Sequence, residues 1–297
     1  MSGKDQTPTV VALGYFDSVH LGHRKVIEAA KTLADELSAS VTVFTFGGNL
    51  RAMLSRRDDK FVYSLEERRD ILREMGVENI YVQPVDFNFL SMGKLAFINM
   101  LNRKFNIKGY VSGVDYKFGK FAKGTTEDIK KFAEANSQVY RIVDTLTEDG
   151  KKVSTSRIKT MLSSGDIKGA NILLDRPFSV SGTVVKDRGV GRTLGYPTAN
   201  IKLDKNKQTV KEGVYAGHAF VDGTRYGAVI NFGSRPTFGG TEVVLETHIV
   251  GFDGDLYGKS LTVYFDNYIR EIRKFFSEED LKKQLAADIS SIEKNEY

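Results

Sequence analysis

The sequence predicts two successive folds: an α/β domain built on a parallel sheet (residues 1–175), then a small antiparallel β-barrel finished by a C-terminal helix (residues 176–297). Three observations carry this. From residue 9 to about 174, short apolar runs alternate with stretches of helical spacing, and no hairpin signal joins the runs. That is the pattern of strands covered on both faces and linked by helical crossovers. After Arg176-Pro177 the period falls to two, with Phe178, Val180, Gly182 and Val184 alternating with other residues, as in a sheet with one buried face. The length of 297 residues fits two domains of about 150 residues each.

In order along the chain, residues 10–16 read as a buried strand. Residues 23–37 carry Val26, Ile27, Ala30, Leu33, Ala34 and Leu37 on one helical face. Residues 41–46 form a second β-branched and aromatic run, and Ser64 with Glu67 has the spacing of a capping box ahead of Leu65, Ile71 and Leu72. Further strands are expected at 80–85, 109–112 and 139–143, with helices between them, the last one split at Ser164-Gly165. In the second half, strands are expected at 213–221, 226–232, 242–250 and 260–264, separated by turn signals such as Asp222-Gly223 and Asp253-Gly254. Ser277 caps a final helix striped by Leu281, Leu285, Ile289 and Ile292.

Composition narrows the function classes. A hydrophobic fraction of 41% and a charged fraction of 27% are ordinary globular values, which excludes collagenous, low-complexity and wholly disordered chains. The net charge of +5 is mild and suits phosphate-bearing small molecules; without blocks of like charge, no nucleic-acid partner is expected. The absence of cysteine excludes disulfides, thiol catalysis and thiolate metal sites. Only four histidines are present (His20, His23, His218 and His248), too few to favour a multi-histidine metal centre. With no apolar signal core and no long apolar run, the expectation is a cytoplasmic protein with no membrane partner. The sequence leaves a homo-oligomer open.

Two segments carry chemistry. The first is the run from Gly14 through Phe16, Asp17 and His20 to Gly22 and His23, where the first strand hands over to the first helix. Ligands of open parallel sheets bind beyond the carboxyl ends of strands, and a helix N-terminus offers free N–H groups and a positive dipole end. His20 and His23 there can donate hydrogen bonds to a polyphosphate, as phosphoryl or nucleotidyl transfer requires. The plainer alternative is that both only cap the helix, with Asp17 a turn residue. The second segment is the glycine-rich stretch with Gly182, Gly189, Gly191, Arg192 and Gly195, ending in Pro197-Thr198-Ala199-Asn200. Glycines admit close backbone approach to phosphate. Thr198 and Asn200, two apart on an extended segment, offer hard oxygens suited to Mg²⁺. Glu246 shares a strand face with Val244 and His248; a carboxylate on an apolar face needs a job, and general base for a substrate hydroxyl is the natural one.

The first motif resembles the nucleotidyltransferase superfamily that transfers adenylyl or cytidylyl groups. The whole chain resembles the prokaryotic FAD synthetases, the bifunctional riboflavin kinase/FMN adenylyltransferase family. Beyond the Pro-Thr-Ala-Asn segment, the resemblance rests on Asn231-Phe232-Gly233 with Arg235-Pro236-Thr237-Phe238, on Glu246-Thr247-His248, on Leu256-Tyr257-Gly258-Lys259, and on Ile269-Arg270 followed by Lys274-Phe275. It implies a Rossmann-like nucleotidyltransferase domain and a riboflavin kinase barrel. It implies Mg²⁺, ATP as co-substrate, and riboflavin, FMN and FAD as substrates and products. Thr198 and Asn200 would hold Mg²⁺ with ATP, and Glu246 would take the proton of the terminal ribityl hydroxyl. ATP would lie along the glycine-rich stretch near Tyr257, and the flavin near Asn231, Arg235, Arg270 and Phe275. In the first domain, the nucleotide would meet Gly14, Phe16, Asp17, Gly22, Asp115, Ser154, Thr155, Ser156 and Lys159 around His20 and His23.

The chain departs from the family pattern in several places. Asp187 stands where the kinase half usually has a glycine, and Phe276 replaces an acidic residue. In the first half, Ser18 replaces the glycine of F-D-G-x-H, and Phe46-Gly47-Gly48-Asn49-Leu50 replaces an F-D-P-H-P-like string. Ser154-Thr155-Ser156-Arg157-Ile158-Lys159 stands for S-S-T-x-I-R, which puts a point charge where a forked guanidinium is usual. A bifunctional enzyme is therefore expected. The alternatives are a riboflavin kinase with a weak or inactive first domain, and a non-enzymatic flavin- or nucleotide-responsive protein.

Overall fold

The structure is a computed structural model that describes residues 5–48, 60–186, 195–237 and 240–293. The chain divides into two compact units, Met1–Thr155 and Ser156–Tyr297.

The first unit is built on a five-stranded, all-parallel sheet. Its strands are β1 (Asp5–Leu13), β2 (Ser40–Gly47), β3 (Asn79–Pro84), β4 (Phe105–Gly113) and β5 (Val139–Val143), in the order β3-β2-β1-β4-β5. Helices α1 (Leu21–Glu36), α2 (Leu65–Glu74), α3 (Phe87–Ser91), α4 (Lys94–Lys104) and α5 (Thr126–Ala135) make the crossovers. Central β1 is sealed on both faces, as its unbroken apolar run requires: Val10, Val11 and Ala12 are fully buried. One face packs Val11, Leu13, Phe44, Phe97 and Tyr110 into a single cluster. α1 turns Val26, Ile27, Ala30, Leu33 and Ala34 inward. The expected capping box is present: Ser64 Oγ accepts from Glu67 N–H at 3.1 Å, and the Glu67 carboxylate accepts from Ser64 N–H at 2.7 Å.

One expectation needs correction here. The first unit does contain a hairpin, the short ribbon β6 (Thr147–Glu148) and β7 (Lys151–Lys152). Its turn, Asp149-Gly150, has φ of 52° and 67°, the left-handed pair that a tight Asp-Gly hairpin uses. The signal was in the sequence and was passed over.

α6 (Thr155–Ser164) starts on the last residue of the first unit, and α7 (Ile167–Leu174) follows in the second, the two separated at Gly165 as expected. A closed antiparallel barrel follows, made of β8 (Phe178–Val185), β9 (Ala199–Ile201), β10 (Gly213–Val221), β11 (Thr224–Thr237), β12 (Gly240–Ile249) and β13 (Ser260–Arg270), in the order β10-β11-β12-β9-β8-β13. Asp222-Gly223, with φ of 49° and 83°, is the tight turn between β10 and β11. Asp253-Gly254 is no hairpin turn: it lies in the connection between β12 and β13, which are not neighbours in the barrel. Phe178, Tyr215, Ile230, Leu245 and Phe265 are fully buried in this unit.

The last helix, α8 (Glu278–Glu293), covers Val214, Ala216 and Val229 with Ile289 and Ile292. Ser277 caps it, accepting from Asp280 N–H at 3.1 Å. A two-pronged ion pair fastens it: Arg270 Nε and Nη2 reach the two carboxylate oxygens of Asp288 at 3.0 and 2.7 Å. The Asp288 side chain is 1% exposed and that of Arg270 19%, so removing the carboxylate leaves a largely covered guanidinium without its counter-charge. Asp288→Ala is expected to lower unfolding stability by about 3 kcal/mol, read from urea denaturation; a change below about 0.5 kcal/mol would show that the pair does not hold the helix.

Candidate active sites

The first site forms where β1 and β4 end. In the order β3-β2-β1-β4-β5, crossovers leave β1 and β4 in opposite directions, and the crevice at their carboxyl ends is the switch point of the sheet. The loop after β1 carries residues 14–20, and the loop after β4 carries Asp115. His20 is the N-cap of α1, its Nδ1 accepting from His23 N–H at 3.1 Å. The hydrogen of the neutral ring therefore sits on Nε2. The two imidazoles stack at 3.7 Å between centroids, 6° from parallel, and His23 sets its edge against Phe16. The plainer expectation of a capping histidine thus holds for His20, but its exposure is only 7%. Burial pushes its pKa down to about 4, with smaller contributions from its backbone hydrogen bond, Lys152 and Asp115. At pH 7 it is neutral and is a donor through Nε2.

The remaining first-site residues fall as follows. Gly14 is small because a Cβ there would meet the Phe16 ring at 2.7 Å, and Gly22 because one would lie 3.1 Å from His20 Cε1. Phe16 and Val19 carry the left-handed backbone of the loop, with φ of 51° and 42°. Ser18, standing where the family has glycine, has no positive φ, so the lost glycine costs no strain there. Its hydroxyl lies 2.9 Å from that of Thr155. Asp17 is buried, and its Oδ1 accepts from Val62 N–H at 2.9 Å, which gives it a role in holding the loop. Asp115 is hydrogen-bonded by Lys152 Nζ, which holds its carboxyl below the usual range. Ser154 precedes α6, and Ser156 and Lys159 lie on it, in the second unit. Gly47 ends β2, while Asn49 and Leu50 lie outside the described residues.

Two residues of this site escaped the sequence reading. Arg68 is buried and donates to Tyr15 O at 3.0 Å, Thr45 Oγ1 at 3.2 Å and Phe46 O at 3.1 Å, tying the ends of β1 and β2 together. Its place three residues before Ile71, on the buried stripe of α2, was the available signal. Lys152 was hidden with the overlooked ribbon.

The second site lies on the barrel. Register sets Asn231 of β11 opposite Glu246 of β12, and Glu246 opposite Asn200 of β9, so the three side chains share one face. The face reading needs correction: the buried side of β12 is Leu245, Thr247 and Ile249, and Val244, Glu246 and His248 form the half-buried side. Asn200 is buried, and its Oδ1 has no hydrogen-bond partner among the described residues. An orphaned acceptor oxygen beside a carboxylate position, two residues from a threonine hydroxyl, fits a hard divalent cation. Thr198 lines an adjoining cavity of about 300 Å³ with Val184, Pro197, Thr247, Phe252 and Tyr257.

The other barrel residues fall as follows. Gly182, expected beside ATP, also makes room for the chain leaving β9: a Cβ there would lie 2.5 Å from Lys202 O. Gly195, at φ 86°, turns the chain into Pro197. Gly189, Gly191, Arg192 and Asp187 lie outside the described residues, as does the side chain of Arg235. Arg270, expected at the flavin, pairs its guanidinium with Asp288. Phe275 packs under Arg270 and Arg273 and lines a second cavity of about 410 Å³ with Lys274, Lys283 and the fully exposed Phe276.

A parallel-sheet unit with a histidine-bearing switch point, followed by a barrel that aligns a carboxylate with an orphaned amide oxygen, defines a two-domain nucleotide-dependent transferase. The family model described as FAD synthetase matches residues 2–157, and that described as riboflavin kinase matches residues 174–295. The bifunctional riboflavin kinase/FMN adenylyltransferase of Bacillus subtilis (strain 168) is 34% identical, covering 96% of this chain and 92% of the relative. That of Escherichia coli (strain K12) is 30% identical, covering 97% and 93%. A solved structure described as a macrolide-efflux protein from Streptococcus pneumoniae superposes with a TM-score of 0.89 at 31% identity, covering 98% of this chain and 95% of that one. The chain belongs to the bifunctional riboflavin kinase/FMN adenylyltransferase family. No helix among the described residues is long and apolar enough to cross a membrane.

The state of His20 is open to direct measurement. Its ring resonances are expected to titrate near pH 4 rather than near 6.5. Above pH 6.5 the group is neutral folded or unfolded and leaves stability untouched. Between about 6.5 and 4 the unfolded chain binds a proton that the native site refuses, so stability falls as pH falls. A His20 resonance titrating at 6.5 in the folded protein would show the ring to be solvated.

Proposed function

We propose that the barrel unit phosphorylates riboflavin to FMN and that the parallel-sheet unit adenylylates FMN to FAD, with ATP the co-substrate of both. The observation that carries this reading is the row Asn231–Glu246–Asn200, whose register sets a carboxylate position opposite an amide oxygen that no described residue satisfies. The substrates are small molecules, and the reading assigns a cytoplasmic place of action.

In the barrel, the nucleophile is a neutral alcohol and needs a base. Glu246 takes the proton of the terminal ribityl hydroxyl as that oxygen attacks the γ-phosphorus and ADP leaves. Thr198 and Asn200 would hold Mg²⁺, which on binding neutralises charge on the ATP phosphates. The cavity beside Thr198 and Tyr257 receives the nucleotide, and Asn231 orients the flavin chain. In the first unit the nucleophile is already an anion, the FMN phosphate, and no base is required. It attacks the α-phosphorus of ATP and pyrophosphate leaves. His20 and His23 orient the phosphates and donate hydrogen bonds to the charge that develops, with Lys152 and the α1 N-terminus adding positive potential.

Incubation with riboflavin, ATP and Mg²⁺, followed by separation of the flavins, tests the reading: FMN and FAD should both accumulate, FMN alone would reduce it to a kinase, and neither would overturn it. Glu246→Gln should lower FMN formation by about 10²–10⁴ while leaving FAD formation from supplied FMN intact. His23→Ala should abolish FAD formation and spare FMN formation; unchanged FAD output would remove the histidine pair from its role.

A further inference from the structure

The Pro-Thr-Ala-Asn segment is held to the barrel in an unusual way. Antiparallel pairing of β9 with β12 runs Ile201–Leu245, Asn200–Glu246, Ala199–Thr247 and stops. One reason is chemical: Pro197 has no N–H to offer the next rungs. Where the main-chain ladder ends, a side chain takes over. His248, the residue after the last rung and on the same face as Glu246, places Nδ1 2.9 Å from the carbonyl oxygen of Pro197. A carbonyl only accepts, so Nδ1 carries the hydrogen and donates it. The same ring sets its edge toward Tyr196, 5.6 Å between centroids at 76°. Thr198 therefore lies between two fixed points, the Ala199 rung on one side and the His248-bound Pro197 carbonyl on the other.

We infer that His248 is the positioning residue of the metal–nucleotide site: its bond to Pro197 keeps the Thr198 hydroxyl in register with the orphaned oxygen of Asn200. It touches neither phosphate nor flavin; it acts through residue 197. The inference rests on the reading above that Thr198 and Asn200 hold Mg²⁺ with ATP.

The test compares three variants in the full chain. His248→Ala removes the donor. In His248→Asn the side-chain amide N–H falls near the place of Nδ1 and restores it. His248→Gln puts its amide farther out, near the place of Nε2, and does not. Loss of one such bond is expected to raise KM for MgATP in riboflavin phosphorylation about 3–10-fold in the Ala and Gln variants. The KM for riboflavin stays within twofold and kcat within threefold, the signature of lost ground-state positioning of one substrate. The Asn variant returns KM for MgATP to within twofold of the parent. Without turnover, calorimetric titration should show the Kd for MgADP rising by the same factor in the Ala variant while that for ADP in EDTA stays unchanged. An unaltered KM and Kd in the Ala variant, an Asn variant as impaired as Ala, or equal weakening with and without Mg²⁺ would each overturn the inference. A parent chain that makes no FMN, or a Glu246→Gln variant of full activity, would overturn the underlying reading instead.

Discussion

The short ladder between β12 and β9 is the constraint on which the chemistry proposed for the barrel depends. Three rungs set Leu245 against Ile201, Glu246 against Asn200 and Thr247 against Ala199. Side chains alternate across a strand, so a slip of one residue would turn Glu246 into the core and bring Thr247 or Leu245 to the open face. Burying an unpaired carboxylate is costly, and Leu245 and Ile249 gain by burial. The apolar residues of β12 thus fix the register, and the register fixes the carboxylate beside the amide. Packing energy unconnected with any substrate places the chemical groups.

The two units answer different chemical demands with different side chains. An alcohol must lose a proton as it attacks, and in the proposed reading the half-buried carboxylate of Glu246 takes it. A phosphate attacks as it is, and in the same reading the parallel-sheet unit offers donors and positive potential instead. His20 suits that division: burial keeps it neutral, the N-cap bond fixes which nitrogen carries hydrogen, and Gly22 leaves room for its ring. A solvated histidine would change charge near neutral pH; this one stays a fixed dipole across the working range.

Much of this was legible in the sequence. The parallel sheet announced itself through unbroken apolar strands such as β1, and the barrel through period-two alternation from Phe178 onward. The Pro-Thr-Ala-Asn segment and Glu246 could be named as a site because their types suit hard-oxygen coordination and base catalysis. What could not be read was register. Nothing local to Asn200 or Glu246 says that they face each other, because pairing between strands is set by the global packing of the barrel. The face of Glu246 was misjudged for the same reason: Val244 beside it suggested an apolar face, yet Leu245, Thr247 and Ile249 form the inner one. Arg68 was missed because a charged residue on a buried helical stripe contradicts the usual rule. The pairing of Arg270 with Asp288 could not be read either, because its partner lies on a helix 18 residues away.

The departures from the family pattern also look different once contacts are known. The glycine missing at residue 18 suggested a damaged loop. Yet the left-handed positions of that loop are Phe16 and Val19, held by burial, and neither depends on residue 18. A serine there adds a hydroxyl, and Thr155 lies within 2.9 Å to pair with it. Both residues belong to strings that depart from the family pattern, and they meet. A buried hydroxyl without a partner would destabilise the loop; as a pair within the first unit, the two satisfy each other. The change at residue 18 therefore reads as an exchange of backbone freedom for a side-chain bond, in a loop whose shape Phe16, Val19, Asp17 and Arg68 already determine.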